Sequence, residues 1–327
     1  MKLATLPNGL PDGALAVVSR DLSRALRVPE IAPTLQAALD DWDDLAPRLA
    51  DAAAGLEQGA APGAEGFDPA RALAPLPRAY QWCDGSTYPG HMERMAEWRG
   101  LPIPEAFWSE PFLYQGGSDG FLGPGEDIPC VSTDFGVDFE AEVCVITDAI
   151  PLGTDAAGAL DRIRLVMVCN DVSLRNLIPH ELEKGFGFVQ SKPASAFSPV
   201  AVTPDELGGA WRDGRVHLPV RSALNGTRMG DPDAGEMQFG FHELIAYVAR
   251  TRSLAPGSII GSGTVASRDP ARGVSCLTEQ RIIETMAHGE PRTDYLRPGD
   301  NVRIEMLDAE GRAVCGAIDQ RVAAVPE

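Results

Sequence analysis

Three acidic residues alternate with apolar residues in the segment Asp138-Phe139-Glu140-Ala141-Glu142-Val143. On a β-strand alternate side chains share a face, so Glu140 and Glu142 would point the same way. Neighbouring carboxylates repel each other unless a cation lies between them, and hard divalent ions prefer oxygen ligands. The segment is therefore a candidate metal site, although an exposed strand with its acids in solvent would show the same alternation.

Two further acids lie where loops could reach such a site. Asp171 closes the apolar run Arg164–Cys169, and a loop residue after a buried strand is held by a rigid scaffold. A turn or helix N-cap would look the same. Asp84 opens a Gly- and Pro-containing segment that ends at His91. This histidine could act as a base near neutral pH, or be an ordinary solvated loop residue.

Cations and glycines complete the candidate set. Lys192 is one of three lysines in the chain, and among small uncharged neighbours it could stabilise a developing oxyanion or simply be solvated. Arg175 follows Asp171 by four residues, so it would lie one helical turn after Asp171 if a helix begins at that point. The segment Gly261-Ser262-Gly263-Thr264 could let the backbone approach a ligand closely, although a plain turn would look alike. Glu279 follows this segment.

Composition limits the class of protein. The 327 residues suit one large domain or two ordinary ones, and Lys and Arg (28) against Asp and Glu (47) give a net charge of −19. This charge argues against binding a nucleic-acid backbone. No apolar run approaches the length of a membrane span, and the N-terminus lacks a signal-peptide core. With six scattered cysteines lacking CxxC spacing, we expect reduced thiols in a cytoplasmic protein, with neither a zinc site nor a disulfide scaffold.

The first part of the chain predicts a small module made of a hairpin and a helix. Residues 2–6 and 14–19 flank a turn with Asn-Gly and Asp-Gly, which supply positive φ. Thr34 is predicted to cap a helix, which Pro47 is predicted to split or kink. The stretch 59–78 is rich in Ala, Gly and Pro. We therefore predict an N-terminal module over residues 1–72 and a catalytic domain over residues 73–327.

The rest of the chain reads as β-rich. The pattern predicts one short amphipathic helix over 241–250 and strands over 142–147, 162–169, 216–224, 258–265, 301–307 and 313–319. Many short strands with few long helices predict an α+β fold with a mixed, curled or barrel-like sheet. The regular alternation of a doubly wound sheet is absent from the sequence.

In chain order these segments resemble the fumarylacetoacetate hydrolase (fumarylacetoacetase) family, as a bacterial member of intermediate length. The resemblance covers roughly residues 78–320. The matching segments are Asp84 to His91, Tyr114-Gln115-Gly116, Glu140-Ala141-Glu142, Asn170 to Arg175, Lys192, Gly261 to Thr264, and Glu279. The resemblance implies a mixed β-roll catalytic domain, a homodimer, and a divalent ion without an organic cofactor.

The resemblance also implies a role for each matching residue. The metal, Mg²⁺ or Ca²⁺ and alternatively Mn²⁺, is expected on Asp84, Glu140, Glu142 and Asp171. His91 corresponds to the general base and Glu279 to the acid that orients it. Arg175 and Lys192 correspond to groups that hold an oxyanion, and Tyr114 and Thr264 to positions that contact substrate. Because His91 lies in a predicted loop, we expect it to meet Glu279 only when substrate closes the site.

The activity implied by the resemblance is hydrolysis of a C–C bond in a 1,3-diketo acid. The first expectation is 4-fumarylacetoacetate, cleaved to fumarate and acetoacetate in tyrosine and homogentisate catabolism. Ile178 stands where fumarylacetoacetases often have Gln, and Ala196 where many members have Thr. These departures leave the acyl group open.

The alternatives are an acylpyruvate hydrolase and an oxo-acid decarboxylase or hydratase. The His91–Glu279 dyad favours the hydrolases, since decarboxylation needs no activated water. We expect a small diketo acid as partner, and neither nucleic acid nor membrane.

Overall fold

The computed structural model describes residues 1–325. Its helices are α1 (Leu35–Asp40), α2 (Trp42–Glu57), α3 (Pro89–Arg99), α4 (Ala156–Leu160), α5 (Ile178–Lys184), α6 (Phe241–Ala249) and α7 (Leu277–His288). Its strands are β1 (Lys2–Leu6), β2 (Ala14–Val18), β3 (Arg24–Arg27), β4 (Glu65–Gly66), β5 (Trp82–Gly85), β6 (Leu113–Gln115), β7 (Ile128–Cys130), β8 (Val137–Asp138), β9 (Ala141–Thr147), β10 (Ile163–Asn170), β11 (Ser173–Leu174), β12 (Ala196–Phe197), β13 (Ala201–Val202), β14 (Trp211–Arg212), β15 (Arg215–Val216), β16 (Val220–Leu224), β17 (Thr227–Gly230), β18 (Ile259–Gly261), β19 (Asn301–Leu307) and β20 (Ala313–Ala324).

The strands form a mixed α+β fold, which confirms the predicted class, and the sheets stay open instead of closing into a barrel. The main sheet has eleven strands in the order β4-β3-β2-β1-β13-β10-β9-β18-β5-β6, with β12 beside β10. A second sheet of five strands runs β17-β16-β19-β20-β7. In the main sheet β9 is antiparallel to β10 and β18, and β18 is parallel to β5.

The predicted N-terminal hairpin is present and continues the main sheet. Strands β1 and β2 pair with Lys2 opposite Val18, and the other edge of β1 pairs with β13, where Leu3 lies opposite Ala201. The module and the catalytic region therefore share one sheet. The boundary between residues 72 and 73 stays a prediction.

The predicted helix after Thr34 divides at Asp41, and α2 continues through Pro47, so the prediction that Pro47 splits the helix is wrong. The Thr34 hydroxyl accepts a hydrogen bond from the backbone N–H of Ala37, as an N-cap does. Asp41 has φ −135° and ψ 45°, outside the helical region. Pro47 lies within α2, where its missing N–H leaves the carbonyl of Asp43 unpaired on a solvent-exposed stretch.

The predicted β-rich region differs from the structure in the bounds of three strands and in its helices. The predicted strand over 216–224 is two strands, β15 and β16, separated near Pro219, which has no N–H for the ladder. The predicted strand over 258–265 is only β18, and the last strand extends to Ala324. Helices α3, α4, α5 and α7 were not predicted. Their positions matter because α3 and α7 carry site residues.

Strand β9 is buried on both faces, so the alternative of an exposed strand with its acids in solvent is wrong. All seven of its residues are buried, and Glu142 has no exposed surface. Glu140 immediately precedes the strand and is also buried. Within residues 1–325, no helix has the length and apolarity needed to cross a lipid bilayer.

Candidate active site

Three of the four predicted ligand carboxylates converge at one end of the main sheet. Glu142 lies on β9, Asp84 on β5 and Asp171 directly after β10, and a ligand oxygen from each lies within 4.8 Å of the others. All three are buried. Strand β18 separates β9 from β5, and its Gly261 lies opposite Asp84.

Gly261 leaves the space through which Asp84 reaches the cluster. A Cβ at Gly261 would lie 2.2 Å from Asp84 Oδ1, closer than atoms can approach. The same oxygen accepts a hydrogen bond of 3.0 Å from the backbone N–H of Gly263, whose φ is +80°. The segment Gly261–Thr264 thus positions the carboxylate of Asp84. From its glycines alone, the sequence predicted only a close approach of the backbone to a ligand.

Burial and mutual repulsion make the ionised forms of two acids in this cluster unfavourable, those of Glu142 and Asp84. Both carboxylate oxygens of Glu142 are buried without a hydrogen-bond partner among residues 1–325. Burial, followed by the charges of Asp84 and Asp171, raises the pKa of Glu142 well above its usual value. Burial and Asp171 also raise the pKa of Asp84 to about 8. Carboxylate oxygens are the ligands that a hard divalent cation prefers, and those of Glu142 accept no hydrogen bond that a cation would have to replace. A bound cation would also relieve the repulsion between the acids.

Glu140 lies beside this cluster and is held by two cations. Lys192 Nζ donates a hydrogen bond to Glu140 Oε2 at 2.6 Å, and Arg175 Nη2 lies 2.7 Å from Glu140 Oε1 without the alignment of a hydrogen bond. Although burial alone would raise it, Lys192 and Arg175 hold the pKa of Glu140 below its usual value. Glu140 is therefore near the predicted metal position, but its oxygens are engaged with cations.

Asp171 is surrounded by hydrogen-bond donors. Lys192 Nζ and the Tyr114 hydroxyl each donate to Asp171 Oδ2 at 2.5 Å, and the Ser195 hydroxyl donates to Oδ1 at 2.7 Å. Burial, followed by the charge of Asp171, raises the pKa of Tyr114 well above its usual value. Tyr114 therefore remains a neutral donor in this arrangement. Asp171 follows β10 without beginning a helix, and β11 comes next.

The structure brings His91 and Glu279 together from two helices. His91 is the third residue of α3, which begins at Pro89, so its placement in a loop was wrong. A proline suits the first helical position because that N–H needs no intrahelical partner. His91 Nδ1 lies 3.0 Å from Glu279 Oε1 on α7. The contact exists without substrate, contrary to the expectation that substrate would be needed to close it.

Glu279 also binds an arginine that the sequence did not single out. Arg94 lies one turn after His91 on α3 and donates from Nη1 to Glu279 Oε1 at 3.1 Å. Burial alone would raise the pKa of Glu279, but the hydrogen bond from His91 and the charge of Arg94 hold it below its usual value. Glu279 is thus an anion, and His91 Nδ1–H donates to it, which leaves Nε2 free to accept a proton.

Asp138 is a second residue without a predicted role. It is fully buried and accepts hydrogen bonds from Arg175 Nε at 2.7 Å and from the backbone N–H groups of Leu277 and Thr278 at 2.7 and 3.0 Å. A carboxylate at the first residues of α7 satisfies donors that have no intrahelical partner. Asp138 therefore ties Arg175 to the helix that carries Glu279.

These groups open onto a cleft of about 530 Å³. Its lining includes all the predicted site residues except Asp171 and Glu279: Asp84, His91, Tyr114, Glu140, Glu142, Arg175, Lys192 and Thr264. Ile178 also lines it, whereas Ala196 is buried in β12 opposite Asn170. A larger cleft of about 670 Å³ lies beside Lys2 and Glu206 and contains none of the predicted site residues.

Comparison with known proteins gives the family. Residues 81–323 match the family described as fumarylacetoacetate (FAA) hydrolase C-terminal, and residues 1–78 match fumarylacetoacetase N-terminal domain 2. The chain therefore belongs to the fumarylacetoacetate hydrolase family. Members of this family are hydrolases and isomerases, and a manganese complex is among the solved structures.

Individual relatives are similar at a distance. A 2,4-didehydro-3-deoxy-L-rhamnonate hydrolase of a Sphingomonas species is 30% identical over 167 residues, 50% of this chain and 54% of that protein. The chain spans about half the length of the curated relatives it matches.

Two solved structures share the fold. A fumarylacetoacetate hydrolase of Exiguobacterium antarcticum has a TM-score of 0.68 and 19% identity, with 99% of this chain and 100% of that chain covered. A maleylpyruvate hydrolase of Sphingobium sp. SYK-6, in complex with manganese(II) and pyruvate, has a TM-score of 0.67 and 16% identity, with both chains fully covered.

Proposed function

We propose that the chain is a divalent-metal-dependent hydrolase that cleaves a C–C bond in a 1,3-diketo acid. The observation that carries this proposal is the closed contact between His91 and Glu279, since His91 lines the same cleft as the carboxylate cluster. An oriented base beside an oxygen-ligand site is the pair of features that activating water against a chelated carbonyl requires.

The residues that would hold the ion are Asp84, Glu142 and Asp171, with Glu140 adjacent. Mg²⁺, Ca²⁺ or Mn²⁺ suits such a set, and a manganese complex within the fold supports a divalent ion. When bound, the ion supplies polarisation of a carbonyl oxygen of the diketo acid. The chain's own side chains supply the proton transfer and the stabilisation of the leaving group.

His91 and Glu279 provide the proton transfer. With Nδ1–H donating to Glu279, His91 Nε2 accepts a proton from water, and the resulting hydroxide adds to the acyl carbonyl. The bond between the acyl carbon and the methylene then breaks, and its electron pair becomes an enolate. The protonated His91 can return the proton to that carbon, so that the two products are a carboxylate and a ketone.

Lys192 and Arg175 provide positive charge where the enolate forms. Both line the cleft, and both are held in place by buried carboxylates, Glu140 with Lys192 and Asp138 with Arg175. Preorganised cations stabilise developing negative charge without reorganising during the reaction. A carbanion that is not spread into an enolate would be a poor leaving group, so these charges favour cleavage.

Within this reaction class, 4-fumarylacetoacetate of tyrosine and homogentisate catabolism is the substrate that the resemblance of the sequence supports. Acylpyruvates are the second candidates, and the maleylpyruvate hydrolase that shares the fold supports them. An oxo-acid decarboxylase or hydratase is less consistent with a dyad that activates water. On the family resemblance, we also propose that the chain acts as a homodimer.

The test is turnover of a panel of diketo acids by the protein loaded with Mg²⁺, Mn²⁺ or Ca²⁺, with the products identified. We expect His91→Ala to lower the rate by about 10²–10⁴-fold while metal occupancy, measured in the same sample, is unchanged. His288→Ala, at the exposed end of α7, is the matched control and should keep the wild-type rate. Wild-type turnover by His91→Ala would reject the hydrolytic mechanism and favour a lyase.

A further inference from the structure

The walls of the catalytic cleft differ sharply in polarity. The floor carries the carboxylates and cations described above, whereas the walls above it are apolar. On one side they come from α3 and the chain that follows it, and on the other from α5 and its neighbours. The residues that make this contrast are Met92, Met95, Ile103, Phe112, Ile178 and Phe188.

The volume of the cleft exceeds the needs of a short diketo acid. Its 530 Å³ lies within the range of pockets that enclose drug-sized ligands. Two apolar residues at the rim, Leu101 and Leu182, are 61% and 54% exposed. Apolar side chains that line a pocket and remain partly in solvent gain stability when a ligand covers them.

The cations of the cleft are poorly placed for a second carboxylate at the far end of a substrate. Among the described residues, three Lys or Arg side chains line the cleft: Arg99, Arg175 and Lys192. Arg175 and Lys192 are already paired with buried acids on the floor. Arg99 is the last residue of α3 and is exposed. A charged tail would therefore lie against apolar walls or reach into solvent.

We propose that the cleft selects diketo acids whose acyl tail is an uncharged alkyl or aryl group. The proposal rests on the proposed function and, within it, favours the acylpyruvates over 4-fumarylacetoacetate, whose acyl tail ends in a carboxylate. The substrate class is R–CO–CH₂–CO–COO⁻ with apolar R. Water adds to the R-bearing carbonyl, the bond from that carbon to CH₂ breaks, and its electron pair forms the enolate of a 2-oxo acid. That enolate takes up one proton, so the products are the carboxylate of R and pyruvate.

Ile178 is the residue through which this selection is best tested. It begins α5 and presents a branched apolar side chain to the cleft. Ile178→Gln would place an amide in that wall, which an alkyl tail could cover only by leaving the amide without a hydrogen-bond partner. Leu152→Gln is the matched control, because Leu152 is 64% exposed and does not line the cleft.

The first measurement compares kcat/KM of the Mg²⁺-loaded protein on acetylpyruvate, on longer alkanoylpyruvates, and on an acylpyruvate of equal length that ends in a carboxylate. We expect kcat/KM to rise about fourfold for each of the first few methylenes. We expect the methyl-ended tail to exceed the carboxylate-ended tail by at least about tenfold. A flat series, or a preference for the carboxylate-ended tail, would overturn the proposal.

The variants locate the selection in the wall. Ile178→Gln should reduce the ratio of kcat/KM for the alkyl tail to kcat/KM for acetylpyruvate several-fold, while Leu152→Gln, outside the cleft, should leave this ratio at its wild-type value. Arg99→Gln should leave alkyl substrates unaffected. If Arg99→Gln instead selectively impairs a carboxylate-ended substrate that wild type prefers, Arg99 recognises a diacid, and the proposal is wrong.

A binding measurement separates this proposal from the proposed function. Calorimetric titration of Mg²⁺-loaded His91→Ala with the same diketo acids reports tail preference without turnover. Tighter binding of alkyl tails supports the selection even if wild type cleaves none of these compounds, in which case only the proposed function fails. Cleavage of all of them by wild type, with equal affinities in the variant, overturns the selection and leaves the function intact.

Discussion

Glu142 shows how a buried acid without a partner serves binding at the expense of stability. Its two oxygens have no hydrogen-bond partner in the described part of the chain, and Asp84 and Asp171 lie close by. Such an arrangement is unfavourable in the metal-free protein, because three buried carboxylates repel one another and lack solvent. The same three groups gain most from a cation, so metal binding should stabilise the fold.

We therefore expect Glu142→Gln to change stability and metal affinity in opposite directions. The melting temperature in excess chelator should rise by a few degrees, because glutamine is neutral without the proton uptake that burial imposes on Glu142. Affinity for Mg²⁺ or Mn²⁺ should fall by at least about 10²-fold, because a ligand oxygen loses its charge. Calorimetric melting and metal titration measure the two effects. Glu183→Gln, whose side chain is 80% exposed on α5, should change neither.

Arg94 helps to keep Glu279, the acid of the dyad, in its anionic form. It donates to the same oxygen of Glu279 as His91 does, so its charge offsets that of Glu279. Glu140 is a further charged group near this contact, and its pKa is influenced by His91. Cys276, which caps α7 beside Glu279, is a neutral thiol because burial raises its pKa well above the usual value. Without Arg94, one of the groups that hold the pKa of Glu279 below its usual value is lost, so Glu279 would take up a proton at a higher pH and no longer orient His91 as an anion.

We expect Arg94→Met to move the acidic limb of the pH profile of kcat/KM upward by roughly one pH unit. Arg94→Lys should restore most of the wild-type profile, since the charge returns. Arg268→Met is the control, because Arg268 pairs with Glu93 on the exposed side of α3. A lower rate with an unshifted limb would mean that Arg94 only supports the structure.

At the scale of elements, α5 fixes the loop that delivers Lys192. Glu181 on α5 accepts hydrogen bonds from the backbone N–H groups of Val189, Gln190 and Ser191, at 2.8 to 3.1 Å. It also accepts one from the Ser191 hydroxyl. Burial opposes the effect, but these bonds lower the pKa of Glu181 to about 2. Because the folded pKa is below the unfolded value, this stabilisation is complete above about pH 4.5 and is lost as pH falls toward 2.

Glu181→Gln should loosen this loop at neutral pH, because the amide group brings donors to a place already filled by donors. We expect faster hydrogen exchange over residues 186–191 and a destabilisation of about 1–3 kcal/mol. Turnover should fall because Lys192 is less well positioned. Glu183→Gln on the exposed side of α5 again serves as control. Unchanged exchange over 186–191 would show that other contacts hold the loop.

The elements differ in how far the sequence can predict them. Strands β9 and β10 are predicted to within a residue, because long buried apolar runs signal a central strand. Helices α3 and α7 are missed because neither has a long apolar stripe: α3 buries only Pro89 and Gly90, and the buried residues of α7 are Leu277, Ile282 and the acid Glu279. Arg94 is missed with them, because its place beside His91, from which both reach Glu279, follows only when residues 89–99 are known to be helical.

The site as a whole shows the same limit. Its acids and basic groups are predictable by type, because converging carboxylates imply a cation and a histidine implies a base. Their distances are not, since Asp84 and Glu142 meet across β18 only because Gly261 has no side chain. The engagement of Glu140 by Lys192 and Arg175 likewise depends on tertiary packing.

At the scale of the whole molecule, the N-terminal module and the catalytic region are built on one core. Strand β1 extends the main sheet through β13, and one apolar cluster includes Leu49 of α2 together with Ile146 and Met167 of the central strands. A sheet and a core that cross the predicted boundary couple the two regions energetically. The module therefore supports the strands that end at the carboxylate cluster.

This coupling predicts a single cooperative unfolding transition. Leu49 is completely buried, so Leu49→Ala should cost about 2–5 kcal/mol through lost burial and a residual cavity. Because the core is shared, the whole unfolding transition should move to lower temperature without splitting into two. The unfolding of the catalytic region and the loss of helical structure should therefore occur at the same temperature. Leu10→Ala, at a residue 66% exposed in the same module, is the control and should leave the transition in place. Calorimetry with Mg²⁺ present and absent measures both variants. A second transition that stays at the wild-type temperature would show that the catalytic region folds independently of the module.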